Sequence, residues 1–204
     1  MKLYGSPPTR VLRAMWLLNE LGLDYENVPL DLLAGDGQKP EYLSINPAGK
    51  SPALVDGDLK LTESAAIQLY LAEKHPQAGF IPEGLAARAD MYRWLFFLMT
   101  EIEAPLWRMA LHEFLYDEKD RDPAEIRRAA RDCARMLAVL EKHMEGRKHL
   151  VGDRLSVADF NAAYTLDWAD VVGLLDDKPN LKAFVERMYA RPKAPPRIAA
   201  AQKG

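Results

Sequence analysis

The sequence predicts an α+β protein in which a mixed N-terminal domain precedes an all-helical C-terminal domain. Strand and helix patterns alternate up to His75, turn residues without periodicity follow, and only helical periodicity appears from Ala86 onward. We therefore expect a βαβ-ββα domain at residues 1–76, a linker at about 77–85 and a helical domain at 86–204.

Composition and charge narrow the function classes. Of the 204 residues, 49% are hydrophobic and 28% are charged, which is typical of a soluble globular protein and argues against disorder. The 27 Lys and Arg residues are balanced by 30 Asp and Glu residues, so the chain lacks the positive charge of a nucleic-acid-binding protein. We expect no nucleic-acid partner.

The sequence also narrows the expected location and the possible cysteine chemistry. The first residues lack the apolar core of a signal peptide, and no apolar run reaches the roughly 18 residues of a membrane span, which predicts a cytoplasmic protein without membrane contact. Cys133 is the only cysteine, so an internal disulfide, a Cys-x-x-Cys pair and a thiolate zinc cluster are excluded, and we expect no metal site.

The first 44 residues carry a strand, a helix and a second strand. Strand patterns occupy Lys2 to Tyr4 and Tyr25 to Leu30, and a helix with apolar spacing ends at Gly22. A helix between two strands this close in sequence implies a right-handed crossover and a parallel pair. Residues 31–44 follow as a polar loop with a short helix at 40–43.

The next segment is a hairpin that leads directly into a helix. Two short strands flank the Asp56-Gly57 turn, and Glu63-Ser64 begins the helix. A helix N-terminus presents unpaired N–H groups and partial positive charge, which favours an anion there. A cis bond before Pro52 would leave nearby peptide groups free to bind an extended ligand.

The helical domain is predicted from apolar stripes and one cap. A long helix, bent near Pro105, carries the stripe Met91, Leu95, Leu98, Ile102 and Leu106. A second helix carries Ile126, Ala130, Cys133, Leu137, Leu140 and Met144. A third begins with a capping box from Ser156 to Asp159, and a fourth covers about 181–189.

These motifs together resemble the cytosolic glutathione transferase family. They are Asn-Pro-x-Gly-Lys-x-Pro-Ala-Leu at 46–54, Glu-Ser at 63–64 and Gly-Asp-x-Leu-Ser-x-Ala-Asp at 152–159. The resemblance implies a thioredoxin-like N-terminal domain, glutathione as co-substrate without a prosthetic group, and a homodimer. It also implies a detoxification enzyme that conjugates glutathione to a small hydrophobic electrophile and has possible peroxidase activity.

Three hydroxyls compete for the glutathione thiol in the first loop. The run from Ser6 to Arg10 resembles the Ser-x-Pro-x-Arg pattern of theta- and delta-type transferases, including bacterial members, and this favours Ser6 as the catalytic residue. Thr9 is the second candidate. Tyr4 lies within the strand, where packing or lining the electrophile pocket is expected.

The family pattern also suggests the residues that bind glutathione. Glu63 and Ser64 match the pair that holds the γ-glutamyl end, and the backbone of Ser51 beside Pro52 would pair with the cysteinyl part. Gln38 and Lys50 are the candidates for the glycyl carboxylate. Gly37 occupies the position of a histidine in the theta- and delta-type pattern, so the contact made by that histidine either comes from another residue or is missing.

The electrophile site is less well defined. The candidates are Tyr4, Tyr92, Phe96, Met99, Trp107 and Phe114. The alternative function is a non-catalytic glutathione-transferase-like binding or interaction module. A cysteine-dependent glutathione reductase is disfavoured because the first loop contains no cysteine.

Overall fold

The computed structural model describes residues 1–201 and divides the chain into two compact units. One unit contains Met1–Ile81 together with the chain from Tyr189 onward, and the other contains Pro82–Met188. No helix in the described part of the chain is long and apolar enough to cross a membrane.

The first unit is built on a four-stranded mixed sheet. Its strands are β1 (Lys2–Tyr4), β2 (Glu26–Val28), β3 (Ala53–Asp56) and β4 (Leu59–Thr62). Their order in the sheet is β2-β1-β3-β4, with β1 and β2 parallel and the other two pairs antiparallel. The predicted parallel pair and hairpin are therefore confirmed.

Three helices belong to the same part of the chain: α1 (Val11–Leu21), α2 (Pro40–Leu43) and α3 (Ser64–Lys74). Helix α1 ends where the sequence predicts, because Gly22 adopts the left-handed conformation (φ 66°) that favours glycine. Trp16 and Leu17 on α1 are fully buried, and α1 contacts α3. Because α1 and α3 pack against each other and against the sheet, the loops that precede these helices are held beside the sheet.

The second unit begins with one long helical segment from Leu85 to Leu115. It comprises α4 (Leu85–Phe97), a π-helical stretch (Leu98–Glu103), α5 (Ala104–Ala110) and a second π-helical stretch (Leu111–Leu115). The predicted stripe is confirmed: Met91, Leu95, Leu98, Ile102 and Leu106 are all at most 2% exposed. Pro105 lacks a backbone N–H, so the regular ladder is interrupted at the irregular stretch that precedes it.

Helices α6 (Pro123–His143), α7 (Val157–Val171) and α8 (Pro179–Tyr189) complete this unit up to Met188. The capping box at α7 forms as predicted: the backbone N–H and the hydroxyl of Ser156 both donate to Asp159 Oδ2, at 2.8 and 2.9 Å. Asp159 Oδ1 accepts from the backbone N–H of Leu150 at 2.9 Å. Both oxygens of this buried carboxylate accept hydrogen bonds from the protein, so Asp159 has a structural role.

The chain after α8 returns to the first unit, whereas the sequence places it in the helical domain. Arg191 donates to both carboxylate oxygens of Glu20 on α1, each at 2.7 Å, and the Tyr189 ring lies 4.8 Å from that of Trp16. The short helix α9 (Ile198–Ala201) follows. A bidentate ion pair and an aromatic contact, which no local pattern encodes, explain this grouping.

Candidate active site

The peptide bond between Ser51 and Pro52, directly before β3, is cis. Just before it, the carbonyl of Lys50 accepts hydrogen bonds from the Tyr42 hydroxyl and the Asn46 amide. The backbone before Pro52 is therefore fixed by buried side chains.

The two candidate loop hydroxyls occupy different surroundings. Ser6 Oγ accepts a hydrogen bond from the backbone N–H of Leu30 at 3.0 Å, which places it at the end of β2. Thr9 Oγ1 donates to the carbonyl of Ser6 at 2.7 Å and lies 3.3 Å from Ser51 Oγ. Because β1 separates β2 from β3 in the sheet, Ser6 and Thr9 point their hydroxyls toward opposite neighbours of β1.

Thr9 also lies at the N-terminus of α1. Its Oγ1 is 3.4 Å from the backbone N–H of Val11, the first residue of the helix. The positive end of the helix dipole favours negative charge nearby. The corner formed by Thr9, Ser51 and Pro52, hereafter the thiol corner, therefore combines two hydroxyls with a favourable field for an anion.

A buried arginine of α1, Arg13, lies beside the N-terminus of α3, and sequence reasoning did not place it there. The Arg13 guanidinium donates to Ser64 Oγ at 3.1 Å, and Arg13 and Ser64 are 0% and 4% exposed. Since Ser64 Oγ accepts this bond, its own proton remains able to donate to a ligand carboxylate. The sequence signal was an arginine within the apolar pattern of α1, and it suggested only added positive potential at the electrophile site.

Glu63 adopts a left-handed backbone conformation, with φ 66° and ψ 114°. Among described residues other than glycine it is the one with positive φ, and such a conformation costs about 1–3 kcal/mol. It turns the chain so that the exposed Glu63 side chain and the buried Ser64 side chain lie at the start of α3. The predicted pair thus lies together at the start of α3. Glu63, Ser64 and the adjacent Arg13 are hereafter called the α3 end.

The loop expected to meet the other end of the ligand has no room for a side chain at position 37. A Cβ on Gly37 would lie 2.3 Å from the carbonyl oxygen of Gly49, closer than real Cβ contacts. Gln38 and Lys50 are both exposed, and the Gln38 amide lies against Gly49. Lys39 instead pairs with Asp36 at 2.6 Å, which raises the pKa of Lys39 above its ordinary value.

Comparison with known proteins assigns the family. Residues 1–73 match the model described as "Glutathione S-transferase, N-terminal domain", and residues 91–192 match "Glutathione S-transferase, C-terminal domain". The chain is 35% identical to glutathione S-transferase 3 of Zea mays, over 98% of this chain and 94% of that protein. The chain belongs to the glutathione S-transferase family.

Solved structures of this family share the fold. An apo glutathione S-transferase III is 33% identical with a TM-score of 0.80, covering 100% of this chain and 95% of its own. A family member from Pseudomonas fluorescens, solved with two glutathione molecules, is 30% identical with a TM-score of 0.84, covering 95% of this chain and 89% of its own. The predicted thioredoxin-like and helical architecture and the transferase class are confirmed.

Within the glutathione S-transferase family, the comparisons correct the predicted subclass. Curated relatives include F9 and F13 of Arabidopsis thaliana, at 31% and 33% identity over 94% of this chain, and these are plant phi-class (F) proteins. They are not bacterial theta- or delta-type transferases. The Ser-x-Pro-x-Arg similarity was too short to assign a subclass.

The proposed electrophile residues are placed separately in the two units. In the first, Tyr4 packs against Tyr42 with ring centroids 5.9 Å apart. In the second, Tyr92, Met99 and Trp107 are half-buried, and Phe96 is 66% exposed. These side chains on the long helical segment therefore retain accessible aromatic or thioether surface and are not part of the fully buried core.

Cys133 contributes packing in this transferase and not reactivity. It is fully buried on α6, and burial raises the pKa of its thiol to about 12. No group of three or more potential metal-ligating His, Cys, Asp or Glu side chains is found within residues 1–201.

Proposed function

We propose that this chain conjugates glutathione to small hydrophobic electrophiles, with glutathione as co-substrate and no prosthetic group. Family membership supports the reaction, and the glutathione-bound family member from Pseudomonas fluorescens supports the co-substrate. The observation that carries the residue-level proposal is the 3.3 Å approach of the Thr9 and Ser51 hydroxyls beside cis-Pro52.

In this proposal each of the three residues of glutathione meets a different part of the site. Its γ-glutamyl carboxylate receives hydrogen bonds from Ser64, with the Arg13 cation behind that hydroxyl, while Glu63 accepts from the ammonium group. The backbone of Ser51 pairs with the cysteinyl residue as an added strand would. The glycyl carboxylate meets two exposed side chains, Gln38 and Lys50.

The reaction needs the thiolate of glutathione. A free thiol has a pKa near roughly 8.5, so little thiolate exists at neutral pH. A hydroxyl that donates a hydrogen bond to sulfur, at the positive end of α1, stabilises the anion and lowers that pKa. The thiol proton leaves to water, the sulfur lone pair forms the new carbon–sulfur bond, and the leaving group departs with the electrons of the bond it breaks.

Thr9 is the better candidate for that hydroxyl. Pro52 and Ser64 lie on the β3 and β4 side of the sheet. The Thr9 hydroxyl lies on this side too, because it is 3.3 Å from the hydroxyl of Ser51. Ser6 faces the opposite side, where it accepts from Leu30. Rotation of the Thr9 hydroxyl proton from the Ser6 carbonyl to sulfur leaves the oxygen in place, so the change requires no backbone movement.

Steady-state kinetics with glutathione and an activated aryl chloride test this assignment. Thr9→Val keeps the shape and removes the hydroxyl, and we expect kcat/KM to fall roughly 10- to 100-fold at pH 6.5 with a small change in glutathione KM. Ser6→Ala is the matched variant and should retain most activity. The opposite ranking would assign the role to Ser6, and failure of the wild-type chain to bind glutathione would favour the non-catalytic alternative.

We further infer a homodimeric assembly, a cytoplasmic location and an electrophile site formed with the candidates on the long helical segment. Two aromatic side chains there, Phe96 and Phe114, are 66% and 70% exposed and are thus available to a ligand or a partner subunit. Light scattering at micromolar concentration tests the dimer, which would give twice the mass of the 23.0 kDa chain.

A further inference from the structure

We propose that the Ser51 hydroxyl is a second hydrogen-bond donor to the glutathione sulfur, acting beside Thr9. This inference rests on the proposed function, in which Ser51 was given only a backbone role. It makes Ser51 a catalytic residue through its side chain and assigns two donors to one thiolate.

The position of the Ser51 side chain supports this role. Its Oγ lies against Gly5, directly after β1, because a Cβ on Gly5 would be only 2.2 Å from it. The absence of a side chain at Gly5 thus leaves the space that the hydroxyl fills. Ser51 is half-buried and directly precedes the cis bond to Pro52, and its Oγ lies 3.3 Å from Thr9 Oγ1.

Hydrogen-bond geometry shows that the Ser51 proton is easily redirected. Thr9 Oγ1 is the only hydrogen-bond partner of the Ser51 side chain found among residues 1–201, at 3.3 Å. That distance exceeds the usual 2.5–3.0 Å of an O–H···O bond, whereas the bond from Thr9 to the Ser6 carbonyl is 2.7 Å. Turning the Ser51 hydroxyl toward an incoming anion therefore breaks a weaker hydrogen bond than turning the Thr9 hydroxyl does.

Two donors to one anion are also chemically reasonable. A sulfur atom can contact both hydroxyl oxygens at once, since they are only 3.3 Å apart. Hydrogen bonds to an ionised acceptor are about twice as strong as neutral ones. Each added donor therefore favours the thiolate over the thiol and shifts the ionisation of bound glutathione to lower pH.

The test follows the thiolate of enzyme-bound glutathione by its ultraviolet absorbance as pH is varied, together with the pH profile of kcat/KM. In Ser51→Ala we expect the apparent pKa of the bound thiol to rise by roughly one unit, and kcat/KM below that pKa to fall about tenfold. Ser44→Ala is the control, because the Ser44 hydroxyl donates to the carbonyl of Glu41, which is not part of the thiol corner. It should leave both curves unchanged.

A double-mutant cycle separates direct contact from an effect through Thr9. If Ser51 touches sulfur, Ser51→Ala should still raise the thiol pKa in a Thr9→Val background. No further shift in that background would overturn the proposal, because Ser51 would then only position Thr9. If neither single variant shifts the thiol pKa, the assignment of the thiol corner under the proposed function fails instead.

Discussion

The two ends of the proposed glutathione site are built in contrasting ways. At the α3 end, Arg13 and Ser64 are almost fully buried and joined by a hydrogen bond of 3.1 Å. At the glycyl end, Gln38 and Lys50 are exposed, and their position depends on close packing of Gly37 against the Gly49 backbone.

This contrast indicates where affinity and specificity arise. A charged donor held away from water strengthens the hydrogen bond that it organises, whereas an exposed ammonium is screened and contributes little. We expect the α3 end to dominate recognition of glutathione. The glycyl end should tolerate change in its side chains but not in its backbone.

Ser64→Ala should have the largest effect. It removes the hydroxyl that we propose donates to the ligand carboxylate, and it takes away a hydrogen-bond acceptor of buried Arg13. Hydrogen bonds to charged groups contribute about 1.5–3 kcal/mol, so calorimetry should show glutathione binding weakened roughly 10- to 100-fold. Affinity within twofold of wild type would mean that the buried cation does not act through Ser64.

Gly37→Ala should have the next largest effect, on stability. The added Cβ would lie 2.3 Å from a backbone oxygen, and such overpacking costs about 1–3 kcal/mol in the free energy of unfolding. Gly35→Ala is a useful comparison in urea unfolding, since Gly35 has φ 88° but open space around it. A fully stable Gly37→Ala would show that the loop shifts enough to take a Cβ and would contradict this prediction.

Lys50→Ala should have the smallest effect. An exposed ion pair contributes about 0.2–1 kcal/mol, so glutathione affinity should fall at most about fivefold at low salt and approach the wild-type value at 0.5 M salt. Lys39→Ala is the matched control, because its ammonium already pairs with Asp36. A salt-independent loss in Lys50→Ala would indicate a desolvated contact and weaken the contrast between the two ends.

Prediction of the fold from sequence succeeded where the signals are local. The end of α1 at Gly22 and the capping box at Ser156 and Asp159 depend on residues within one turn of the chain. Strand β2 was predicted too long because it pairs only with β1, which offers three residues, Lys2–Tyr4. Pairing length is a property of the neighbouring strand and not of the segment itself.

The sequence by itself determined the order of motifs, the hairpin before α3 and the set of candidate binding residues, because each is written in short runs of neighbouring residues. Tertiary structure decided which loop hydroxyl faces Ser51 and which cation lies behind Ser64. The contact of Thr9 with Ser51 spans 42 positions of the sequence, and that of Arg13 with Ser64 spans 51. Local spacing cannot encode them, since they depend on how the sheet order places separate loops side by side.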